Sequence, residues 1–285
     1  MQIRTDIDTV GVVGAGTMGS GIAQVAATAG YDVVLRDIEA GLVEDGLATI
    51  EASLDRLVGE DIGADEATAI RERITGTTAL EDLADADIVV EAIVENLDVK
   101  REVFGDLDSV TDDDVVLATN TSTLSITAIG AATDRPDRVV GIHFMNPVPV
   151  MDGVEIVDGE KTSAATLSFA HDFAEDLGKT TWESADKPGF VVNRVLMPWL
   201  NEAIRAHDEG VATKADIDAG LKLGTNVPMG PLELADHIGL DVVLQASETL
   251  HEELGDRYKP AYLLKRKVTA GDLGKKTGRG FYEYE

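Results

Sequence analysis

The sequence predicts an α/β protein in two parts: a mostly parallel sheet domain over residues 1–186 and an all-helical domain over residues 187–285. Three observations predict this. Apolar runs of strand length alternate with stretches of helical periodicity through the first two thirds of the chain. A glycine-rich turn joins the first such run to the first helical stretch. Past residues 185–189 (ADKPG), where Pro and Gly mark a break, the pattern is almost wholly helical. A length of 285 residues suits two ordinary domains, at roughly 150 residues each.

The elements follow in order. Residues 8–13 (DTVGVV) form an apolar run ending in GAGTMG, and residues 20–29 carry small and apolar side chains at helical spacing, so the chain reads strand, tight turn, helix. Residues 31–35 give a second strand ending at Arg36 and Asp37, which closes a βαβ unit of about 30 residues. The result is a Rossmann-type arrangement. Residues 39–72 combine helix formers with helical periodicity and break near residues 59–63, predicting a helical hairpin inserted after the second strand. Further strands are predicted at 74–77, 87–94, 115–119 and 139–144, which alternate with helices as in a parallel sheet. In the second domain, Pro188 can open a helix over residues 189–208 that Pro198 should kink. Thr213 and Asp216 resemble a capping box for the next helix, with Gly220 and Gly224 near its end.

Composition narrows the function. Hydrophobic residues at 44% and charged residues at 27% are globular proportions, and the absence of cysteine excludes a thiol nucleophile or thiolate metal site. Asp and Glu number 53 against 24 Lys and Arg. The net charge of -29 repels nucleic acid and anionic lipid, so neither is an expected partner. Residues 9–31 carry no formal charge, yet they include six glycines between Asp8 and Asp32 and lack a basic start, so they predict neither a membrane span nor a secretory leader. The expected location is the cytoplasm. So acidic a chain suggests adaptation to salt, because at about 1 M the Debye length falls to roughly 3 Å and self-repulsion is screened. Against this field, residues 257–279 hold eight basic residues and only Asp272 as an acid, a local +7. That segment reads either as a face meeting an acidic neighbouring subunit or as an attractor for ligand phosphates.

The turn Gly14-Ala15-Gly16-Thr17-Met18-Gly19 follows a strand, opens a helix, and has an acidic residue, Asp37, 18 positions after Gly19. In that context Gly14 permits the turn, Gly16 lets the backbone approach a pyrophosphate, and Gly19 lets helix and strand pack closely. The helix N-terminus offers N–H groups to the phosphates. Asp37 would accept hydrogen bonds from the adenosine ribose and repel a 2′-phosphate, favouring NAD over NADP, with Arg36 beside it weakening the preference. A second constellation combines Asn120-Thr121-Ser122, residues 141–147 (GIHFMNP) and residues 154–156 (VEI). Of five histidines, His171, His207, His237 and His251 sit in polar helical contexts and read as surface residues. His143 instead ends a strand, at the sheet edge where ligands of open α/β folds bind. Glu155 stands in an apolar run where a buried carboxylate needs a partner. A His143–Glu155 pair would satisfy both groups and orient the imidazole for proton transfer near neutrality. A plain hydrogen-bonded core histidine is the competing reading. No metal-ligand spacing is visible.

The segments GAGTMGSGIA, VEAIVEN, ATNTSTLSI, HFMNPVPVM, KPGFVVNR and GKKTGRGFY, in this order from residue 8 to the C-terminus, resemble the 3-hydroxyacyl-CoA dehydrogenase family. The resemblance implies an NAD-dependent enzyme that oxidises (3S)-3-hydroxyacyl-CoA, with 3-hydroxybutyryl-CoA as the expected short-chain substrate. It implies His143 as general base, Glu155 as its partner, and Ser122 and Asn193 as polar groups around the reacting oxygen. It also implies cofactor contacts at Glu95, Lys100, Ser122, Asn146 and Lys275, of which Lys100 and Lys275 could equally be surface charges. Ser53 matches the family's serine for coenzyme A in the inserted hairpin, but Glu60 stands near the place of its lysine. A homodimer through the helical domain is implied as well. Two alternatives remain at this stage: a sugar-acid (gulonate-type) dehydrogenase of the same build, and a noncatalytic dinucleotide-binding protein.

Overall fold

The computed structural model describes residues 6–59 and 62–284. Two compact units divide after Lys187. The first contains one eight-stranded sheet in the order β3-β2-β1-β4-β5-β6-β7-β8. The strands are β1 (Thr9–Val13), β2 (Asp32–Arg36), β3 (Ile74–Thr77), β4 (Ile88–Glu91), β5 (Val116–Thr119), β6 (Val139–Phe144), β7 (Gly153–Asp158) and β8 (Thr180–Ala185). Pairings from β3 through β6 are all parallel. β7 runs antiparallel to β6, and β8 pairs parallel with β7. Every residue of β4, β5 and β6 is buried, which is why these strands read in the sequence as continuous apolar runs rather than alternating ones.

The helices α1 (Thr17–Ala29), α2 (Ala40–Leu57), α3 (Ala64–Glu72), α4 (Leu97–Val110), α5 (Ile126–Gly130) and α6 (Ala164–Asp176) complete this unit. The predicted hairpin is present as α2 and α3. Its first helix buries Val43, Gly46, Ile50 and Leu54, a stripe at helical spacing. At Gly46 the helix comes so close to the glycine turn that a Cβ there would lie 2.7 Å from the Ala15 carbonyl oxygen.

Some expectations are corrected. The strand predicted over 87–94 ends at Glu91, because the Glu91 carboxylate bends the chain back by accepting from the Ile93 N–H at 2.6 Å. β8 has no counterpart in the sequence reading. Its residues TTWESA are mostly exposed or half-buried at the sheet edge, so no apolar run marks them.

The second unit is helical: α7 (Val192–Asp208), α8 (Lys214–Thr225), α9 (Pro231–Ile238), α10 (Leu240–Leu254) and α11 (Tyr262–Thr269). Its core holds Leu200, Leu232, Leu240, Val243, Leu250 and Leu264, all fully buried. Helix α7 starts at Val192 rather than at residue 189, because Gly189 (φ 76°) and Phe190 (φ 49°) both adopt left-handed backbone that cannot continue a right-handed helix. Pro198 lies within α7. Thr213 caps α8 as predicted, accepting from the Asp216 N–H at 3.2 Å. Gly224 lies near the end of α8 as expected, with Gly220 about a turn earlier, and the left-handed cap itself is Asn226. Two buried carboxylates pin the C-terminal segment. Asp236 accepts from the N–H groups of Phe281 and Tyr282 and from the Tyr284 hydroxyl, and Asp218 from the Tyr282 hydroxyl. Burial, together with those neighbouring carboxylates, pushes both tyrosine hydroxyls well above their ordinary value.

Of the four histidines read as surface residues, only His237 is exposed. His171 is half-buried between Thr181 and Glu183, His207 against Phe281, and His251 beside Asp256. The basic segment 257–279 is partly neutralised inside its own unit: Lys265 pairs with Glu248 at 2.7 Å, Lys276 with Asp241 at 2.6 Å, and Lys267 and Arg279 each approach Asp272 at 3.8 Å.

Candidate active site

Strand order turns back at β1: the chain passes from β1 to β2 and β3 on one side, then to β4 on the other. The crevice at such a switch point, at the C-terminal ends of β1 and β4, is where open α/β sheets bind ligands. The glycine turn sits there. Gly14 has φ 103°, and a Cβ on it would lie 2.6 Å from the Ala92 carbonyl oxygen beyond β4. A Cβ on Gly19 would lie 1.7 Å from the Gly14 carbonyl oxygen, whereas one on Gly16 would meet nothing within 4 Å. Gly16 is exposed and is the N-cap of α1, with no side chain capping the helix. Its first turn, at Thr17 and Met18, therefore presents N–H groups and a positive dipole end beside open space. The Asp37 carboxylate folds back on this turn and accepts from the Ala15 N–H at 2.7 Å and the Ile38 N–H at 2.7 Å. An uncapped helix start, space over Gly16 and an acidic group at the end of β2 fit a dinucleotide.

A second cluster lies on the other side of the switch point. Asn96 caps α4 by accepting from the N–H groups of Asp98 and Val99, which aims Lys100 inward from the first helical turn. Lys100 is no surface charge: its side chain is 1% exposed and pairs with the fully buried Glu91 at 2.6 Å. Its Nζ also lies 3.6 Å from Glu95. Glu95 gathers the loop after β5, its Oε1 accepting from the Thr121 hydroxyl at 2.7 Å, the Ser122 N–H at 2.9 Å and the Thr123 N–H at 3.0 Å. The Ser122 hydroxyl also reaches this oxygen, at 3.2 Å. Burial would raise the Glu95 carboxyl, but the Lys100 charge and the hydrogen bonds from Thr121, Ser122 and Thr123 outweigh it and hold the group below its ordinary value.

The third cluster is the His–Glu pair. In the antiparallel ladder His143 of β6 stands directly opposite Glu155 of β7, so both side chains leave the same face of the sheet. His143 Nδ1 lies 3.0 Å from Glu155 Oε2. Glu155 is fully buried and His143 is 7% exposed. An unpaired carboxylate at that depth would cost several kcal/mol. The next residue, Phe144, donates its N–H to the Asn120 side chain at 2.8 Å, which ties the Ser122 loop to the end of β6 beside the imidazole.

The structure thus joins the glycine turn with Asp37, joins Glu95, Lys100 and Ser122, and pairs His143 with Glu155. Asn146 is exposed in the turn after β6, and Ser53 is half-buried on α2. Glu60 lies outside the described residues. Asn193 is half-buried in the first turn of α7, and Lys275 is exposed in a short turn of the second unit. The sequence reading missed Glu91. Its signal was present, since a lone carboxylate in the apolar run IVVEAIV needs a buried partner just as Glu155 does. Among the described residues no group of three His, Asp or Glu could hold a metal, and no helix is long and apolar enough to cross a membrane. A cavity of about 880 Å³ in the second unit, lined by His207, Lys214, Lys267 and Phe281 among others, contains none of the predicted site residues.

A doubly wound sheet with a glycine turn at its switch point defines the dinucleotide-binding class of protein. Comparison with known proteins gives the particular family. The family model described as "3-hydroxyacyl-CoA dehydrogenase, NAD binding domain" matches residues 9–186, and "3-hydroxyacyl-CoA dehydrogenase, C-terminal domain" matches residues 189–284. The chain belongs to the 3-hydroxyacyl-CoA dehydrogenase family, and its cofactor is NAD. A 3-hydroxybutyryl-CoA dehydrogenase of Bradyrhizobium diazoefficiens is 50% identical over 98% of this chain and 96% of its own length. The mitochondrial hydroxyacyl-coenzyme A dehydrogenase of Homo sapiens is 44% identical over 97% of this chain and 91% of its own. Among solved structures, the (S)-3-hydroxybutyryl-CoA dehydrogenase of Ralstonia eutropha is 47% identical, with a TM-score of 0.93 over 98% of this chain and all of that one.

Proposed function

We propose that the chain interconverts (3S)-3-hydroxybutyryl-CoA and acetoacetyl-CoA, with His143 as general base. One observation carries this reading: the 3.0 Å contact from His143 Nδ1 to Glu155 across the registered β6–β7 pair. When Nδ1–H donates to Glu155, the Nε2 lone pair is left to take the proton of the substrate hydroxyl. Glu155 fixes that tautomer and stabilises the imidazolium as it forms. Bound NAD supplies the acceptor for the hydride that leaves C3. Gly14 to Gly19 with Asp37 would hold the cofactor's pyrophosphate and ribose, with Glu95, Lys100 and Asn146 as further contacts. Ser122 supplies a donor to the reacting oxygen where charge develops, and Ser53 serves coenzyme A. The short acyl chain is supported by relatives named for 3-hydroxybutyryl-CoA.

The test is NADH consumption with acetoacetyl-CoA, run beside free hydroxy acids with NAD. Turnover of acetoacetyl-CoA is expected. Activity confined to a free hydroxy acid would refute the reading. The net charge of -29 supports a further expectation, that the protein is adapted to salt. Its thermal midpoint should rise by several degrees between low salt and about 1 M KCl as the screening length shortens to roughly 3 Å. A flat or falling midpoint would defeat the idea.

A further inference from the structure

The reaction reading uses Glu95, Lys100 and Ser122 but leaves the most deeply buried carboxylate of the cluster without a task. Glu91 ends β4 at 0% exposure, and both of its oxygens are engaged. Oε1 accepts from Lys100 Nζ at 2.6 Å and from the Ile93 N–H at 2.6 Å. Oε2 accepts from the Thr119 hydroxyl at 2.7 Å. Thr119, at the end of β5, in turn accepts from the Thr121 N–H at 3.3 Å, and the Glu91 carbonyl takes the Asn120 N–H at 2.7 Å. One residue therefore grips the start of the Ser122 loop through Thr119 and Asn120. Through Lys100 it also anchors the cation that faces Glu95, whose other oxygen holds the loop's far side.

We propose that Glu91 is a positioning residue for the reaction, acting through Thr119 and the Lys100–Glu95 pair to hold the Ser122 hydroxyl in place. The proposal rests on the role given above to Ser122. A buried ion pair is weak evidence for stability, but removing one partner leaves the other as an uncompensated buried charge, so here Glu91 and Lys100 hold the end of β4 and the first turn of α4 together. Because each link is a buried hydrogen bond at the strand ends, loss of one lets the loop shift, and a displacement near 1 Å can cost up to about a hundredfold in rate.

The experiment is a double-mutant cycle on the full chain, reading kcat, the KM for acetoacetyl-CoA and the thermal midpoint. Glu91→Gln should lower kcat by about tenfold or more, with KM changed less than about threefold. Because that variant leaves Lys100 without its buried counter-charge and can fail to fold, Thr119→Val is made beside it. It keeps every charge and the side-chain volume while removing the hydroxyl, and should lower kcat by about threefold or more. In a Ser122→Ala background neither substitution should lower kcat further, whereas a merely structural role would move the midpoint and leave the coupling to Ser122 at zero. Thr119→Val with wild-type kcat, or an equal loss with and without the Ser122 hydroxyl, overturns the proposal. Ser122→Ala as fast as wild type would instead refute the role given to Ser122, and the proposal would fall with it.

Discussion

Replacing His143 by Gln is expected to lower kcat for acetoacetyl-CoA reduction by about 10² to 10⁴, the range general acid–base catalysis contributes, while NADH affinity stays within about twofold. The asymmetry follows from placement. The imidazole stands on β6, paired with Glu155 on β7, whereas the turn that would receive the cofactor's phosphates lies between β1 and α1. A glutamine amide can donate to Glu155 and keep that carboxylate from being stranded, but it cannot take or return a proton near neutrality. Glu155→Gln should cost less than loss of the imidazole, because the base survives and only its orientation and the stabilisation of the imidazolium weaken. The check is steady-state kinetics with NADH titration by fluorescence. Turnover surviving in His143→Gln would remove His143 as the base, whatever its contact with Glu155.

The second large effect separates two glycines of the same turn. Gly19→Ala would put a Cβ 1.7 Å from the Gly14 carbonyl oxygen, and the obstacle is backbone, which no rotamer change relieves. The first helix must then move off the first strand, at about 1–3 kcal/mol or more. Both the thermal midpoint and NADH affinity should fall, the affinity by at least about tenfold. Gly16→Ala meets nothing within 4 Å, and φ there is -70°, which alanine adopts without strain. Its thermal midpoint should match wild type while NADH binding weakens, because the methyl occupies only the space a pyrophosphate needs. Calorimetry and titration on both variants check this. Unimpaired NADH binding by Gly16→Ala would mean that the cofactor does not approach the turn at that point.

Much of the first unit was legible because its central strands β4, β5 and β6 are buried throughout and read as unbroken apolar runs, and because the insertion carries a plain helical stripe at Val43, Gly46, Ile50 and Leu54. The glycine turn, Asp37, His143 and Glu155 were likewise visible, since each breaks its local pattern in a way that needs a chemical reason. Less legible were features whose cause lies far along the chain. β8 is an exposed edge strand with polar residues. Phe190 takes left-handed backbone although its side chain is an ordinary buried aromatic. Lys100 looked like any helical lysine, yet nine positions earlier stands the carboxylate that draws it inside.

Periodicity and spacing alone, then, determined most of the strands and helices, where the glycine turn falls, and which side chains could take part in proton transfer, because burial and backbone preference act over a few residues. Only the folded chain decided that Glu155 lies in register with His143, that Asp37 folds back on Ala15, and that Glu91 ties Lys100 to the Ser122 loop. Those pairings join separate strands and helices, and the order in which the strands assemble sets which groups meet.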